Sequence, residues 1–390
     1  MSAPAAPASS RLDRRMLDTA ARAALRAWGD VEPNPMVGCV IGTPAGEIIG
    51  VGHHRRYGEA HAEVEALRAC AAAGRNARGA TAWVTLEPCN HTGKTPPCAH
   101  ALIEAGVREV VYARPDPNPV STGGDAALRA AGVLVRRSDA SVLASRLAEP
   151  FAHAIETGRP WVVAKWAQTI DGRIATRTGE SQWISCERSR AQVHRLRARV
   201  DAILTGIGTV IADDPRLTPR GVRRIRRTAL RIVVDPHLRT PLESALVGTI
   251  TQAPLLLFAR DGVLAAQPAK ADRLRAAGAE VIGLPDEDRG LDLARALADL
   301  RRDRGVSTVL VEAGPTLLGR LVAADLIDEA WVYVAPMLLG DDEAMPSVHG
   351  RTAPRLADAR VFDLCLQRRI DRDALLVYRR AKPAAPLSGS

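Results

Sequence analysis

His61, Glu63, Pro88, Cys89 and Cys98 form an ordered group in this chain, carried by His61-Ala-Glu63, Glu87-Pro-Cys89 and the loop Asn90-His-Thr-Gly-Lys-Thr-Pro-Pro97 that leads into Cys98. Zinc takes tetrahedral ligands from imidazole nitrogen and thiolate sulfur. His61, Cys89 and Cys98 supply three of them and leave one position for water, which is the arrangement of a catalytic site. Water held there is acidified towards neutrality and becomes a nucleophile. Glu63, two residues from His61 at a helix entrance, is placed to take the water proton and return it to a departing amine. A structural zinc site and unrelated buried cysteines are the plainer readings. The company of all five residues, at the ends of a helix and a strand, points to one catalytic zinc per chain. Cys39, Cys70, Cys186 and Cys365 lack such neighbours and read as small core or surface residues.

Elements able to hold this group are readable on both sides of it. Residues 13–28 place apolar side chains at helical spacing, and 36–41 with 47–51 read as a hairpin around Gly42 and Gly46. Helices are expected over 60–73, 98–105, 126–131 and 143–155, and strands over 82–86, 109–113 and 133–136. This alternation implies an α/β sandwich with a largely parallel sheet. Glu156-Thr-Gly-Arg-Pro160 breaks the pattern and sets a domain boundary near 158, dividing the chain into 11–158 and 159–382. A second α/β series follows, with strands over 161–166, 202–205, 231–234, 255–258, 280–284, 308–312 and 329–334 and helices such as 187–199, 291–303 and 316–324. The Ala/Pro/Ser/Gly-rich ends, 1–10 and 383–390, read as disordered.

A length of 390 residues suits two domains, and 46% apolar with 25% charged residues suits a globular enzyme. No apolar run reaches the roughly 18 residues of a membrane span. The first ten residues have neither the basic start nor the apolar centre of a secretory signal, so a cytoplasmic location is expected. Six cysteines are too few for a disulfide framework. The net charge is +9, and residues 1–158 hold 17 Lys and Arg against 16 Asp and Glu, so the excess sits in the second half. Such an excess suits nucleic acid or phosphorylated small molecules. Arginines 220, 223, 224, 226, 227 and 231 could serve RNA, but they have no interleaved aromatics for stacking bases and read as a solvated loop.

Longer motifs narrow the chemistry. Asn34-Pro-Met-Val-Gly38, His61-Ala-Glu-Val64, Thr85-Leu-Glu-Pro-Cys89, Gly93-Lys-Thr-Pro-Pro-Cys98 and Asp116-Pro-Asn-Pro119 together resemble the pyrimidine deaminase of riboflavin biosynthesis. Zinc deaminases share this His-x-Glu and Pro-Cys logic, although eight residues, not two, separate the cysteines here. Lys165, Asp171-Gly-Arg173, Gly179-Glu-Ser-Gln-Trp-Ile184, Ala212-Asp-Asp-Pro215, Val311-Glu-Ala-Gly-Pro-Thr316 and Ala335-Pro-Met-Leu-Leu-Gly340 resemble the reductase of the same pathway. The likeness covers about residues 13–380, in the order of the bifunctional bacterial family. It implies a cytidine-deaminase-like α/β/α domain followed by a dihydrofolate-reductase-like α/β domain. It implies zinc-dependent deamination of 2,5-diamino-6-(5-phosphoribosylamino)pyrimidin-4(3H)-one, then NADPH reduction of the product's ribosyl group to ribityl. The implied partners are these small phosphoribosylaminopyrimidines and further copies of the chain, in a homodimer or larger homo-oligomer, with no nucleic acid and no membrane.

The resemblance also implies site residues. Asn34 matches a contact to the ribosyl region, and His54, His91, Lys94, Asp116 and Asn118 match a shell around base and phosphate. In the second half, Ala167, Trp183, Thr209 and Asp213 match cofactor contacts, and Lys165, Ser181, Arg197, Leu217, Arg220 and Glu312 match substrate contacts. Arg197 and Arg220 could grip a phosphate as planar donor forks. No Gly-x-Gly-x-x-Gly follows the first strand of this half, and Thr205-Gly-Ile-Gly-Thr209 holds only two glycines, which disfavours a Rossmann domain. The turn from strand to helix at 312–320 offers an anion site instead, so Gly314, Pro315, Thr316, Leu317, Leu318, Gly319 and Arg320 are expected at the cofactor pyrophosphate. On the residues alone two rivals stay open. One is a polynucleotide deaminase with an Arg-rich domain, which would not bind NADPH. The other is a non-catalytic, zinc-stabilised nucleic-acid module, for which Glu63 would have no use.

Overall fold

The computed structural model describes residues 8–91, 96–287, 290–350 and 353–381. Lys94 and the terminal tails 1–7 and 383–390 lie outside the described residues. The chain divides into two compact units, 1–159 and 160–390. No helix among the described residues is long and apolar enough to cross a membrane.

The first unit runs α1 Ala8–Ala24, β1 Gly38–Gly42, β2 Ile48–His53, α2 Ala62–Ala72, β3 Thr81–Val84, α3 Cys98–Glu104, β4 Glu109–Tyr112, α4 Gly124–Ala130, β5 Leu134–Arg137, α5 Val142–Leu147 and α6 Glu149–Thr157. Its sheet has the order β2-β1-β3-β4-β5. The β1–β2 hairpin makes the first pairings antiparallel, so the sheet is mixed rather than largely parallel; β3, β4 and β5 run parallel. Alternation along the strands builds two cores. Val40, Trp83 and Val111 face α1 and α5, while Cys39, Ile41, Ala82, Val84 and Val110 face α2, α3 and α4. The result is an α/β/α sandwich. Residues 8–10 are the first turn of α1 rather than part of a disordered tail. The helix expected over 143–155 is two helices, because Pro150 sits in the first turn of α6 and has no N–H to continue α5.

The second unit runs β6 Trp161–Gln168, β7 Arg173–Ala175, α7 Glu187–Arg197, β8 Ala202–Gly206, α8 Ile207–Asp213, β9 Leu230–Val234, α9 Ala245–Gly248, β10 Leu255–Arg260, α10 Asp261–Ala266, α11 Pro268–Ala276, β11 Glu280–Leu284, β12 Asp286–Glu287, β13 Gly290–Leu291, α12 Leu293–Arg304, β14 Thr308–Val311, α13 Pro315–Ala323, β15 Glu329–Val334, β16 Met345–Pro346, β17 Phe362–Ile370 and β18 Asp373–Arg380. Its main sheet has the order β11-β10-β9-β8-β14-β6-β15-β18-β17. Pairings are parallel from β11 to β15, and the β17–β18 hairpin closes the far edge antiparallel. One face packs on α12 and α13 through Ile232, Leu256, Leu297, Leu300, Leu318 and Leu321. Parallel strands with helical crossovers gather the carboxyl ends of β6, β8 and β14 along one edge, where loops can form a site.

Candidate active sites

In the first unit the polar residues converge where α2 and α3 begin. His61 is the N-cap of α2, Glu63 lies in its first turn, and Cys98 opens α3 after Pro97. Cys89 follows the turn that leaves β3 through Glu87-Pro88. His61 Nδ1 lies 3.2 Å from Cys98 Sγ and 3.5 Å from Cys89 Sγ, and the three donor atoms fall within 4.8 Å of one another. Zinc bonds of about 2.3 Å to sulfur and about 2.0–2.1 Å to nitrogen, at a tetrahedral angle, would separate N and S donors by roughly 3.6 Å. The donor set therefore fits zinc in both chemistry and spacing. A hydrogen bond from Cys98 is the main influence that holds the Cys89 thiol well below its ordinary value, aided by His61. Glu63 is buried and hydrogen-bonded to the Cys98 side chain; burial, with the charge of Cys89, pushes its carboxyl up to about 7. A carboxyl whose proton affinity is raised by burial suits both taking up and giving back a proton.

The turn carrying Cys89 is held from behind. Glu87 accepts the backbone N–H of Asp125 on Oε1 at 3.2 Å and that of Asp116 on Oε2 at 3.3 Å. Sequence reasoning passed over Glu87, although it lies inside the Leu86-Glu87-Pro88-Cys89 stretch. Gly124, at the start of α4, approaches the same turn so closely that a Cβ there would lie 1.7 Å from the Pro88 carbonyl oxygen. Gly124→Ala is expected to displace Pro88 and Cys89 and to lower the zinc content of the purified protein. A full complement of metal in that variant would show that the turn can yield without moving the thiolate.

Around this centre, His54 is buried, with its ring edge-on to His61 at 5.4 Å. Its Nδ1 donates to the Ala60 carbonyl at 3.0 Å, so Nε2 is the acceptor that faces Asn34 Nδ2 at 3.4 Å. Asp116 is buried and accepts the Ser121 hydroxyl at 2.6 Å and the Asn118 N–H at 2.9 Å, while Asn118 Oδ1 accepts the Val120 N–H at 3.1 Å. Both side chains thus shape their own loop, and the amide nitrogen of Asn118 is the donor left over. His91 is half-buried, with Nδ1 unpartnered.

In the second unit a charged cluster lies at the carboxyl ends of β6 and β14. Arg197 binds Glu312 in a fork, Nε to Oε1 at 2.6 Å and Nη2 to Oε2 at 2.8 Å, and its Nη1 donates to the Thr218 carbonyl at 3.4 Å. Three of the five N–H groups of Arg197 are thus engaged, two of them in the fork expected to grip a phosphate, whereas Arg220 is exposed on its loop. Burial is the largest single influence and works to raise the Glu312 carboxyl, but the charge and hydrogen bond of Arg197, with the charges of Lys165 and His194, together outweigh it and hold the group below its ordinary value. Burial lowers the Lys165 ammonium, against the pull of Glu312, and Lys165 Nζ stands 5.6 Å over the Tyr333 ring. Tyr333, missed from sequence, is fully buried with an unpartnered hydroxyl. Ser181 is half-buried and Leu217 buried.

Of the expected cofactor residues, Trp183 is 60% exposed, with the Arg190 guanidinium 4.4 Å from the centre of its ring. Ala167 packs partly buried near Tyr333, and Asp213 is exposed at the end of α8. Thr209 accepts the Gly314 N–H at 3.2 Å, tying α8 to the start of α13. The segment 314–320 divides in two. Pro315 has no N–H, and those of Thr316 and Leu317 in the first turn have no intrahelical acceptor. Leu317 and Leu318 bury their side chains in the core, and a Cβ on Gly319 would lie 1.6 Å from the His349 carbonyl oxygen. Arg320 donates to the Leu291 carbonyl at 2.7 Å. Only the first turn, and not the whole stretch expected from sequence, presents free donors to an anion; Gly319 is small because His349 lies against it.

Both units resemble known proteins. Residues 10–114 match the family model of the cytidine and deoxycytidylate deaminase zinc-binding region, and residues 160–366 match that of the RibD C-terminal domain. The chain is 38% identical over 371 residues to the riboflavin biosynthesis protein RibD of Escherichia coli (strain K12), covering 93% of this chain and 98% of that one. It is also 38% identical over 331 residues to RibD of Aquifex aeolicus (strain VF5), covering 85% and 88%. Among solved structures, Acinetobacter baumannii RibD is similar with a TM-score of 0.77 at 35% identity, over 96% of this chain and all of that one. The diaminohydroxyphosphoribosylaminopyrimidine deaminase/5-amino-6-(5-phosphoribosylamino)uracil reductase of Thermotoga maritima gives 0.78 at 29% identity, with 96% and 100% covered.

Proposed function

The chain belongs to the RibD family, the bifunctional deaminases and reductases of riboflavin biosynthesis, and from that membership we propose which of its residues carry each half-reaction. Zinc serves the first domain and a nicotinamide cofactor the second. In the first unit His61, Cys89 and Cys98 hold one zinc, which when bound acidifies a water and polarises the reacting centre. Glu63 accepts the proton that water loses as it adds to the amine-bearing carbon of 2,5-diamino-6-(5-phosphoribosylamino)pyrimidin-4(3H)-one. The same carboxyl then hands a proton to the amine, which leaves as ammonia. His54 orients the Asn34 amide towards the substrate, and His91, Asp116, Asn118 and Lys94 complete the surroundings of base and phosphate. The observation that carries this reading is the convergence of three zinc-type donors within 4.8 Å beside a buried carboxyl.

In the second unit a bound nicotinamide cofactor would supply a hydride to the anomeric carbon of the ribosyl group of 5-amino-6-(5-phosphoribosylamino)uracil, whose bond to the ring oxygen breaks as that oxygen takes up a proton. Lys165 and Glu312 present a donor and an acceptor to the ribosyl hydroxyls, and Ser181, Leu217 and Arg220 line the remainder, with Arg220 on the phosphate. Arg197 acts by holding Glu312 ionised. Ala167, Trp183, Thr209, Asp213 and the first turn of α13 receive the cofactor. We assign NADPH over NADH, because the basic excess of this half matches the extra phosphate. Steady-state reduction is expected to be more efficient with NADPH, and equal kcat/KM with both cofactors would remove the assignment. The whole reading is tested by incubating the enzyme with the diaminopyrimidinone, with and without NADPH. Ammonia and the aminouracil should appear without NADPH, and the ribityl product only with it.

A further inference from the structure

Leu217 lies on a backbone its side chain disfavours. Its φ is +54°, in the left-handed region, and the side chain is buried. A non-glycine residue stays there only when its surroundings over-determine it. The segment from Asp214 to Arg220 is tied at four points. The Ala245 N–H donates to Asp214 Oδ1 at 2.7 Å, and the Arg220 N–H donates to His194 Nδ1 at 3.2 Å. Between them, Arg231 Nη1 donates to the Arg216 carbonyl at 3.1 Å and Arg197 Nη1 to the Thr218 carbonyl at 3.4 Å. Two guanidinium groups therefore grip the carbonyls on either side of Leu217.

Arg231 is the unusual member of this set. It projects from the interior strand β9 and is fully buried, whereas Arg223 and Arg224 before it are exposed and Arg226 and Arg227 half-buried. No carboxylate is bonded to it among the described residues. Its remaining donors go to the Thr249 hydroxyl at 2.7 Å and to the Thr249 and Ala253 carbonyls, and Nε has no partner. Burying a cation without a counter-ion is unfavourable, so packing alone does not account for an arginine here. What an apolar side chain could not do is hold the Arg216 carbonyl.

We propose that Arg231 is a positioning residue of the reductase: from beneath the sheet's loop edge it fixes the 214–220 segment, and so sets where Leu217 and Arg220 meet the substrate. The proposal rests on the assignment of those two residues to the substrate, and Arg231 touches neither substrate nor cofactor. The test uses the full-length enzyme, 5-amino-6-(5-phosphoribosylamino)uracil and NADPH, with Arg231→Met, Arg220→Ala and the double variant. Arg231→Met is expected to raise KM for the pyrimidine by about 10–100-fold, with kcat and KM for NADPH little changed, because a misplaced contact loses binding without removing the chemistry. The double variant should be no worse than Arg220→Ala, since coupled residues are not additive. Ammonia release, which uses the other unit, should be unaffected. If Arg231→Met does not fold, Arg231→Lys, which keeps the charge but loses the planar fork, is measured instead and should show the same KM effect. An unchanged KM, an equal loss in kcat and in both KM values, or additive effects in the double variant would each overturn the proposal. An unchanged KM in Arg220→Ala would instead remove the phosphate assignment of Arg220, and Arg231→Met alone would then decide whether the segment's position matters through Leu217.

Discussion

Glu63→Gln is expected to keep its fold and its zinc while losing about 10²–10⁴-fold in deamination, the usual contribution of a positioned general acid–base. The loss falls towards the upper end because the same carboxyl moves a proton twice. Glutamine preserves the size of the side chain and its capacity to accept a hydrogen bond, and Glu63 is only 3% exposed, so little packing changes. Removing a carboxyl that burial already disfavours as an anion should not destabilise the domain. The three zinc donors are untouched. Reduction of supplied 5-amino-6-(5-phosphoribosylamino)uracil should continue, because the residues assigned to it lie in the second unit. Asp213→Ala gives the converse, with weaker reduction and normal ammonia release. Both half-reactions measured on both variants decide the matter. Deamination at the parental rate by folded, zinc-loaded Glu63→Gln would sink the role given to Glu63, and loss of reduction in that variant would sink the separation of the two sites.

Cys98→Ser should remove the metal itself. Zinc is bound by thiolate, and a serine hydroxyl does not ionise to replace it at neutral pH. Cys98 is fully buried at the first position of α3, and it also donates to Cys89 through its backbone N–H at 3.5 Å. The backbone contact survives the substitution and the ligand does not. Zinc per chain is expected to fall from about one to a small fraction after dialysis against a chelator, because each ligand supports an affinity that depends on the complete set. Deamination should fall to background and reduction should persist. Metal analysis beside the ammonia assay checks this, and full zinc with full activity in Cys98→Ser would refute the ligand assignment.

Much of the molecule is legible in the chain because it depends on short-range chemistry. Period-two and helical patterns follow from which face of an element is buried, and they place most strands and helices of both units. Imidazole nitrogen and thiolate sulfur are the usual zinc ligands, so His61, Cys89 and Cys98 in this company point to a metal before any fold is known. The hairpin β17–β18 escaped the pattern because β17 is an edge strand exposed along most of its length, with charged residues where alternation would have shown. Other features exist only once distant segments meet. Nothing near Arg197 in sequence reveals that Glu312, 115 positions away, occupies its fork. The small side of Gly124 has meaning only against the Pro88 carbonyl, and that of Gly319 only against His349. Arg231 reads as the last basic residue of a basic stretch, at the start of an expected strand, and only its burial and its bond to the Arg216 carbonyl show what it holds. Residue type by itself determined which chemistry this protein can perform. The tertiary structure decided which of those groups are free to perform it, because hydrogen-bonding capacity and space are consumed by neighbours that the linear order does not bring together.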